Sequence, residues 1–288
     1  WGSIGVVVDL LYRLAPASPL SVGFWRVAIA APALLVISRV YAGPAIWRIQ
    51  RRDWPALALM GAAFAAYQVC YFAAIAYIGV AAAVLLNICS APIIVAVLSS
   101  LWLRERPTPA IVAVLVAALI GAGLLAGGSP QAATPAALVA GSLLALGAGL
   151  AYSLVALTGR VLAPRYHPAQ PTALAFTLSA LLLFPFAAAG GLNWHYSAAG
   201  WALVLYLGLV PTALGYALYL RGLRTTTATV SAIIALVEPL VSTAVAVSLL
   251  GERLSATALL GGLLLLGSVT YLYRSAGKRA DPKGLQDL

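Results

Sequence analysis

The 288-residue chain is 63% hydrophobic and only 8% charged, with a formal net charge of +10 and a mean hydropathy of +1.00. Ordinary soluble domains are about 25% charged, and a soluble surface this apolar would aggregate. Composition therefore excludes a soluble enzyme or a soluble nucleic-acid binder and makes the lipid bilayer the solvent.

Ten apolar runs follow in chain order, at about 1–14, 18–40, 54–77, 80–102, 108–127, 135–162, 169–190, 197–220, 228–250 and 254–274. A bilayer core needs about 20 apolar residues per helix. The runs are solid Ala, Leu, Val and Gly, without the alternation of a membrane barrel. They predict an all-α membrane protein with ten transmembrane helices. The first is expected to be short, because the chain opens on Trp1 inside an apolar run and a few residues of that helix are expected upstream. No charged start or small-residue cleavage site marks a signal peptide. The connections are short and end in Pro, Gly or Arg, as at Ala15-Pro16, Arg106-Pro107 and Gly190-Gly191. The polar stretch 41–53, with Arg48, Arg51, Arg52 and Asp53, is expected to lie as a short helix on the membrane surface.

Residues 54–106 and 201–253 are copies of one another, 147 positions apart and without a gap. Trp54 matches Trp201, Gly61 matches Gly208, Ala81 matches Ala228 and Pro92 matches Pro239. Glu105-Arg106 closes the first copy as Glu252-Arg253 closes the second. The duplication predicts a first five-helix repeat over 1–130, a second over 131–277 and a cytoplasmic tail over 278–288. Five is odd, so the second copy enters the membrane from the opposite side. The expected fold is two inverted five-helix repeats around a central cavity, related by a pseudo-two-fold axis in the membrane plane, as in secondary transporters.

Orientation follows from the basic residues, which collect in cytoplasmic loops. With the N-terminus inside, Arg39, Arg48, Arg51, Arg52, Arg104, Arg106, Arg160, Arg165, Arg221, Arg224, Arg274, Lys278, Arg279 and Lys283 are cytoplasmic, fourteen of the 17. Only Arg13, Arg26 and Arg253 fall on or toward the outer side. The positive charge is thus a topology signal, and no nucleic-acid partner is expected.

Polar residues inside the runs mark a candidate site. Tyr67 and Tyr71 share a helix face, with Gln68 beside it; Asn87 and Ser90 share another. The second copy offers Tyr216, Tyr219 and Ser231. Such residues line a wet pocket for an amphipathic solute or hydrogen-bond across helices. Pro92 and Pro239 free the carbonyls of Ile88 and Ala235, as helix breaks beside a site or as plain packing kinks. Glu238 lies about 15 Å deep, ten residues into its run at 1.5 Å each. It reads as a proton-coupling or substrate-amine group, or as a structural acid at the kink. Asp9 and Arg26 lie at similar depth on consecutive helices, as a gate salt bridge, unless Asp9 pairs with Arg13 one turn away.

Enzyme signals are absent. Cys70 and Cys89 form no CxxC pattern and are expected to be buried and inert. His167 and His195 lie in loops on opposite sides, so neither a metal nor a cofactor is expected. The glycine-rich string 121–128 lacks a strand–turn–helix context and reads as helix packing. No Walker motif is present, so ATP is not expected to drive the protein.

The stretch ALVEPLVSTAVAVSLLGERLSATALLGGLLLLGSV resembles the second half of EamA-type members of the drug/metabolite transporter superfamily. NICSAPIIVAVLSSLWLRERPTPAIVAVLVAALIGAGLL is similar to the first half, with Arg-Glu-Arg in place of Gly-Glu-Arg. The opening WGSIG and the pair Trp25-Arg26 also fit. The resemblance implies ten helices in the bacterial inner membrane, both termini cytoplasmic, and a cavity between the third, fourth, eighth and ninth helices. It implies a secondary exporter of small metabolites, chiefly amino acids, and the chain resembles the aromatic amino-acid exporter branch. The expected partners are a small-molecule substrate and the lipid bilayer, and the expected unit is a monomer. The alternatives are export of nucleobases, sugars or cationic compounds, a membrane scaffold, or an intramembrane enzyme.

Overall fold

The computed structural model describes residues 1–15, 17–43, 48–126, 134–250 and 255–279. Each apolar run folds as a helix, since a chain without water can satisfy its amides only internally. They are α1 (Ile4–Leu14), α2 (Pro19–Ala42), α3 (Trp54–Ile78), α4 (Val80–Leu98), α5 (Pro109–Ala126), α6 (Pro135–Leu162) and α7 (Ala169–Ala189). Then come α8 (Ala198–Leu207, continuing through Gly208–Leu214 to Gly215–Gly222), α9 (Ala228–Ala235 and Val237–Leu250) and α10 (Ala256–Arg279). No strand occurs among the described residues. Seven of the helices are long and apolar enough to cross a bilayer; Pro109–Leu124 and Ala256–Leu272 are shorter apolar helices. Exposed Leu101, Leu143, Leu181 and Leu263 face outward on four different helices, a surface suited to lipid.

The helix starts are written locally. Ser18, Thr134, Ser197 and Thr227 cap α2, α6, α8 and α9, each accepting a backbone N–H from three residues on. Gly79, with φ at 80°, alone joins α3 to α4 and donates its N–H to Ile75 O at 2.9 Å. That backbone conformation is open to glycine at no steric cost.

Three helices are irregular. Helix α4 passes into a π-helical turn at Ser99–Leu103. Gly208–Leu214 of α8 is π-helical and contains Pro211. Pro211 cannot donate to Leu207 O; the Thr212 hydroxyl donates to it instead, at 2.7 Å. Helix α9 breaks at Leu236, not at Pro239. Pro239 is the third residue of the segment that restarts at Val237, where a missing N–H is tolerated. Pro92, by contrast, lies inside α4.

The described part of 41–53 is not a surface helix. Helix α2 runs on to Ala42, residues 48–50 are irregular, and Arg51–Asp53 form one 3-10 turn. Side-chain bonds hold this segment: the Gln50 N–H donates to Tyr166 Oη at 3.1 Å, and the Tyr166 hydroxyl donates to Asp53 at 2.7 Å.

Helix α2 packs on α7, α3 on both α6 and α7, α4 on α6, and α5 on α10. The main core holds Leu34, Met60, Phe64, Phe176 and Leu183, with the rings of Phe64 and Phe176 4.5 Å apart. Two glycines permit the closest approaches. A Cβ at Gly61 would lie 2.9 Å from Ala175 O and from the Leu178 side chain on α7. A Cβ at Gly208 would lie 2.7 Å from the Ile29 side chain and 3.4 Å from Arg26 O on α2.

Candidate functional site

Tyr67 and Tyr71 project from α3, one turn apart, with rings stacked 5.6 Å apart and nearly parallel. Asn87 projects from α4 and donates its amide to Tyr67 Oη at 3.4 Å. Its side chain is 7% exposed, and its Oδ1 is buried without a hydrogen-bond partner. These residues line a cavity of about 530 Å³ together with Ile88, Pro92, Tyr152, Glu238, Pro239, Ser242 and Thr243. Glu238 makes no hydrogen bond or ion pair with a described residue. At one end the cavity reaches Ser255 and Ala258, at the start of α10.

The opposite end of the molecule is tied shut by charge. Glu105, just past α4, accepts from Arg160 Nε at 2.8 Å and from the Ala228 N–H at 3.1 Å. It thereby joins the end of α6 to the start of α9, where a helix N-terminus favours an anion. Arg160 also donates to Leu223 O at 2.6 Å, and Arg224 donates to Ala163 O at 2.8 Å. Beside them Asp53 pairs with Arg165. Burial, and then the hydrogen bond to Asp53, push the Tyr166 hydroxyl pKa above its ordinary value. Burial and the neighbouring Arg224 and Arg221 hold the His167 imidazole below its usual pKa.

The sequence model of the EamA-like transporter family matches residues 1–127 and 139–274. The chain belongs to this family. The uncharacterized transporter YwfM of Bacillus subtilis (strain 168) is 32% identical over 275 residues, 93% of this chain and 88% of that protein. An uncharacterized transporter of Archaeoglobus fulgidus is 31% identical over 205 residues, 71% of each chain. The uncharacterized inner membrane transporter YicL of Salmonella typhimurium is 27% identical over 289 residues, 97% of this chain and 93% of that one. A crystal structure 19% identical in sequence superposes with a TM-score of 0.79, over 93% of this chain and 91% of that one. That likeness is one of fold. Family and relatives together make the chain a multi-pass membrane transporter.

In this EamA-like chain the predicted site residues divide. Tyr67, Tyr71, Asn87, Glu238, Pro92 and Pro239 meet at the cavity. The others lie off its wall. Gln68 turns to α2 and donates to Gly23 O at 3.3 Å. Ser90 donates to its own helix at Asn87 O, at 3.2 Å. Ser231 bonds Thr226 at 2.7 Å. Tyr216 and Tyr219 pack beside Trp1, with centroids 4.9 and 5.4 Å away.

The gate pair Asp9–Arg26 is not formed. Asp9 is half-exposed and binds Arg13 at 2.9 Å on the same helix, the nearest cation an i,i+4 spacing can offer. Arg26 instead donates to Thr212 Oγ1 at 3.2 Å. Glu252 and Arg253 lie outside the described residues. Cys70 and Cys89 are unbonded and half-buried, more open than expected. Among the described residues no group of His, Cys, Asp and Glu could hold a metal.

Tyr152, Ser242 and Thr243 are polar wall residues that sequence reasoning missed; Tyr152 is the largest. It comes from α6, and its ring lies 6.5 Å from that of Tyr67. A lone Tyr in the middle of a 28-residue apolar helix was the available signal.

Proposed function

We propose that this EamA-like transporter is a secondary exporter of small metabolites, foremost amino acids including aromatic ones, working by alternating access. The observation that carries the reading is the cavity itself. It is lined by polar groups at mid-helix, reaches one end of the bundle, and is separated from the other end by the Glu105–Arg160 bridge. The rings of Tyr67, Tyr71 and Tyr152 offer flat apolar faces with hydroxyl edges, which suit an aromatic amino acid.

In this reading the two halves are inverted repeats. Three observations support it. The family's sequence model matches two separate stretches. The equivalent glycines Gly61 and Gly208 seat against equivalent sites, a carbonyl and the side chain three residues on: Ala175 and Leu178 on α7, Arg26 and Ile29 on α2. Arg160 and Arg13 keep the same 147-residue offset as the copied stretches. An inverted pair lets one set of contacts close either side. The excess of Lys and Arg puts the closed end and both termini in the cytoplasm, so the solute path opens outward in this structure.

Counterflow tests the reading directly. Purified protein in liposomes preloaded with phenylalanine should accumulate labelled phenylalanine, and a panel of other amino acids, nucleobases and sugars defines the range. Absence of exchange with every solute in the panel would remove the transport reading of the cavity.

A further inference from the structure

We propose that the cavity recognises its solute by a protonated amino group, which binds Glu238, and that a solute carboxylate is dispensable. The inference rests on the transporter reading and deepens it.

The lining is one-sided in its chemistry. Among the described residues it contains one carboxylate, Glu238, and no Lys, Arg or His. The Arg26 guanidinium acts on Glu238 without forming an ion pair with it. Arg26 is turned away, with its Nε on Thr212. Asn87 donates one amide N–H to Tyr67 and brings no charge to the wall. Thr243 uses its hydroxyl hydrogen on Pro239 O at 2.8 Å. The cavity thus offers a carboxylate that no cation among the described lining residues neutralises.

An ammonium group is the complement of such a wall. It carries three donors and no acceptor, and a charge-assisted bond to a carboxylate is stronger than a neutral one. The stacked faces of Tyr67 and Tyr71 attract a cation as well. A solute carboxylate meets no cation on this wall, so its desolvation is uncompensated. Selectivity should follow: amines and amino acids enter, while acids of the same shape and amides of the amine do not.

The test uses three analogues of phenylalanine against the full-length protein. Phenethylamine keeps the ammonium and lacks the carboxylate; 3-phenylpropionate does the reverse; N-acetylphenylalanine loses the positive charge. Binding is read by thermal shift and calorimetry on purified protein, and transport by inhibition of phenylalanine counterflow. Phenethylamine should bind within about tenfold of phenylalanine, and the other two should bind at least about a hundredfold more weakly, as loss of a charged partner implies. Glu238→Gln should erase the preference for phenethylamine over 3-phenylpropionate. Glu238→Asp should retain it with weaker binding, which separates recognition from misfolding. Equal binding of phenethylamine and 3-phenylpropionate, an unchanged preference in Glu238→Gln, or no binding of phenethylamine would each overturn the proposal. Selective amine binding without any counterflow would leave the ammonium site standing and remove the transport function instead.

Discussion

Asn87 shows how a polar residue inside an apolar helix becomes half satisfied. One amide N–H reaches Tyr67 and its Oδ1 is buried without a hydrogen-bond partner. Asn87→Ala, which removes both, should lower counterflow about tenfold, the worth of one hydrogen-bonded contact, with little change in apparent melting temperature. Tyr71→Ala should act in the same direction by unstacking Tyr67. A second residue makes the fold sensitive to acid. The folded state holds the His167 pKa low, so the unfolded chain binds its proton first. The stability this contributes is present above the unfolded pKa of about 6.5 and is lost as pH falls below it toward the folded value. His167→Gln should flatten the fall in melting temperature between neutral and mildly acidic buffer. At this scale the sequence was half legible. Tyr67, Tyr71, Asn87 and Glu238 stood out because each is polar in a solid apolar run. Gln68 stood out equally but faces α2, because each residue turns the helix by about 100° and neighbours decide what lies there. Asp9 had two cations in prospect, and only the structure shows which was within reach.

Helices are defined by what they exclude, and here close packing turns on two small residues. Gly61→Val and Gly208→Val would drive side-chain carbons into α7 and α2. Each should cost about 1–3 kcal/mol, the usual range for overpacking. Gly222→Ala meets nothing within 4 Å and should leave the melting temperature unchanged. The Glu105 bridge belongs to this scale too, because it links three elements. Glu105→Gln keeps the shape and removes the charge. It should loosen the contact between α6 and the start of α9, seen as faster hydrogen exchange at Ala228 and at residues 221–227. The ten helical stretches could be read from apolar runs, Ser and Thr caps and Pro punctuation. The break in α9 could be read only to within three residues, since Pro239 fits the first turn of a new segment rather than ending the old one. The π-helical turn in α8 left no apolar signature at all.

For the whole molecule, the decisive measurement is which side each loop faces. In a Cys70→Ala, Cys89→Ala background, an impermeant maleimide added to intact cells should label His195→Cys and spare Arg51→Cys. Both positions are exposed, one in the α7–α8 loop and the other just before α3. Labelling of both from the same side would contradict an inverted pair. Charge made this scale legible, because Arg160, Arg165, Arg221 and Arg224 all fall at one end of the bundle. The same residues were not legible as a lock. Counted for topology they are only positive; in the fold Arg160 pairs with Glu105, Arg165 with Asp53, and Arg224 bonds the carbonyls of Ala163 and Tyr166.

The π-helical turn at Gly208–Leu214 has one more consequence. Up to Gly208 the azimuths of α3 and α8 agree, as their matched glycine seats show. The wider π turn then leaves the rest of α8 rotated relative to the matching part of α3. Tyr67 and Tyr71 correspond by offset to Leu214 and Leu218, and these leucines are 53% and 57% exposed on the outer surface. If α3 and α8 are the repeated pair we propose, they show the solute different faces, one phenolic and one hidden. The inward-open and outward-open forms of the proposed cycle would then differ in what they offer the solute. Such a carrier should rectify: half-saturation constants taken from right-side-out and inside-out vesicles should differ, even with two halves similar in sequence.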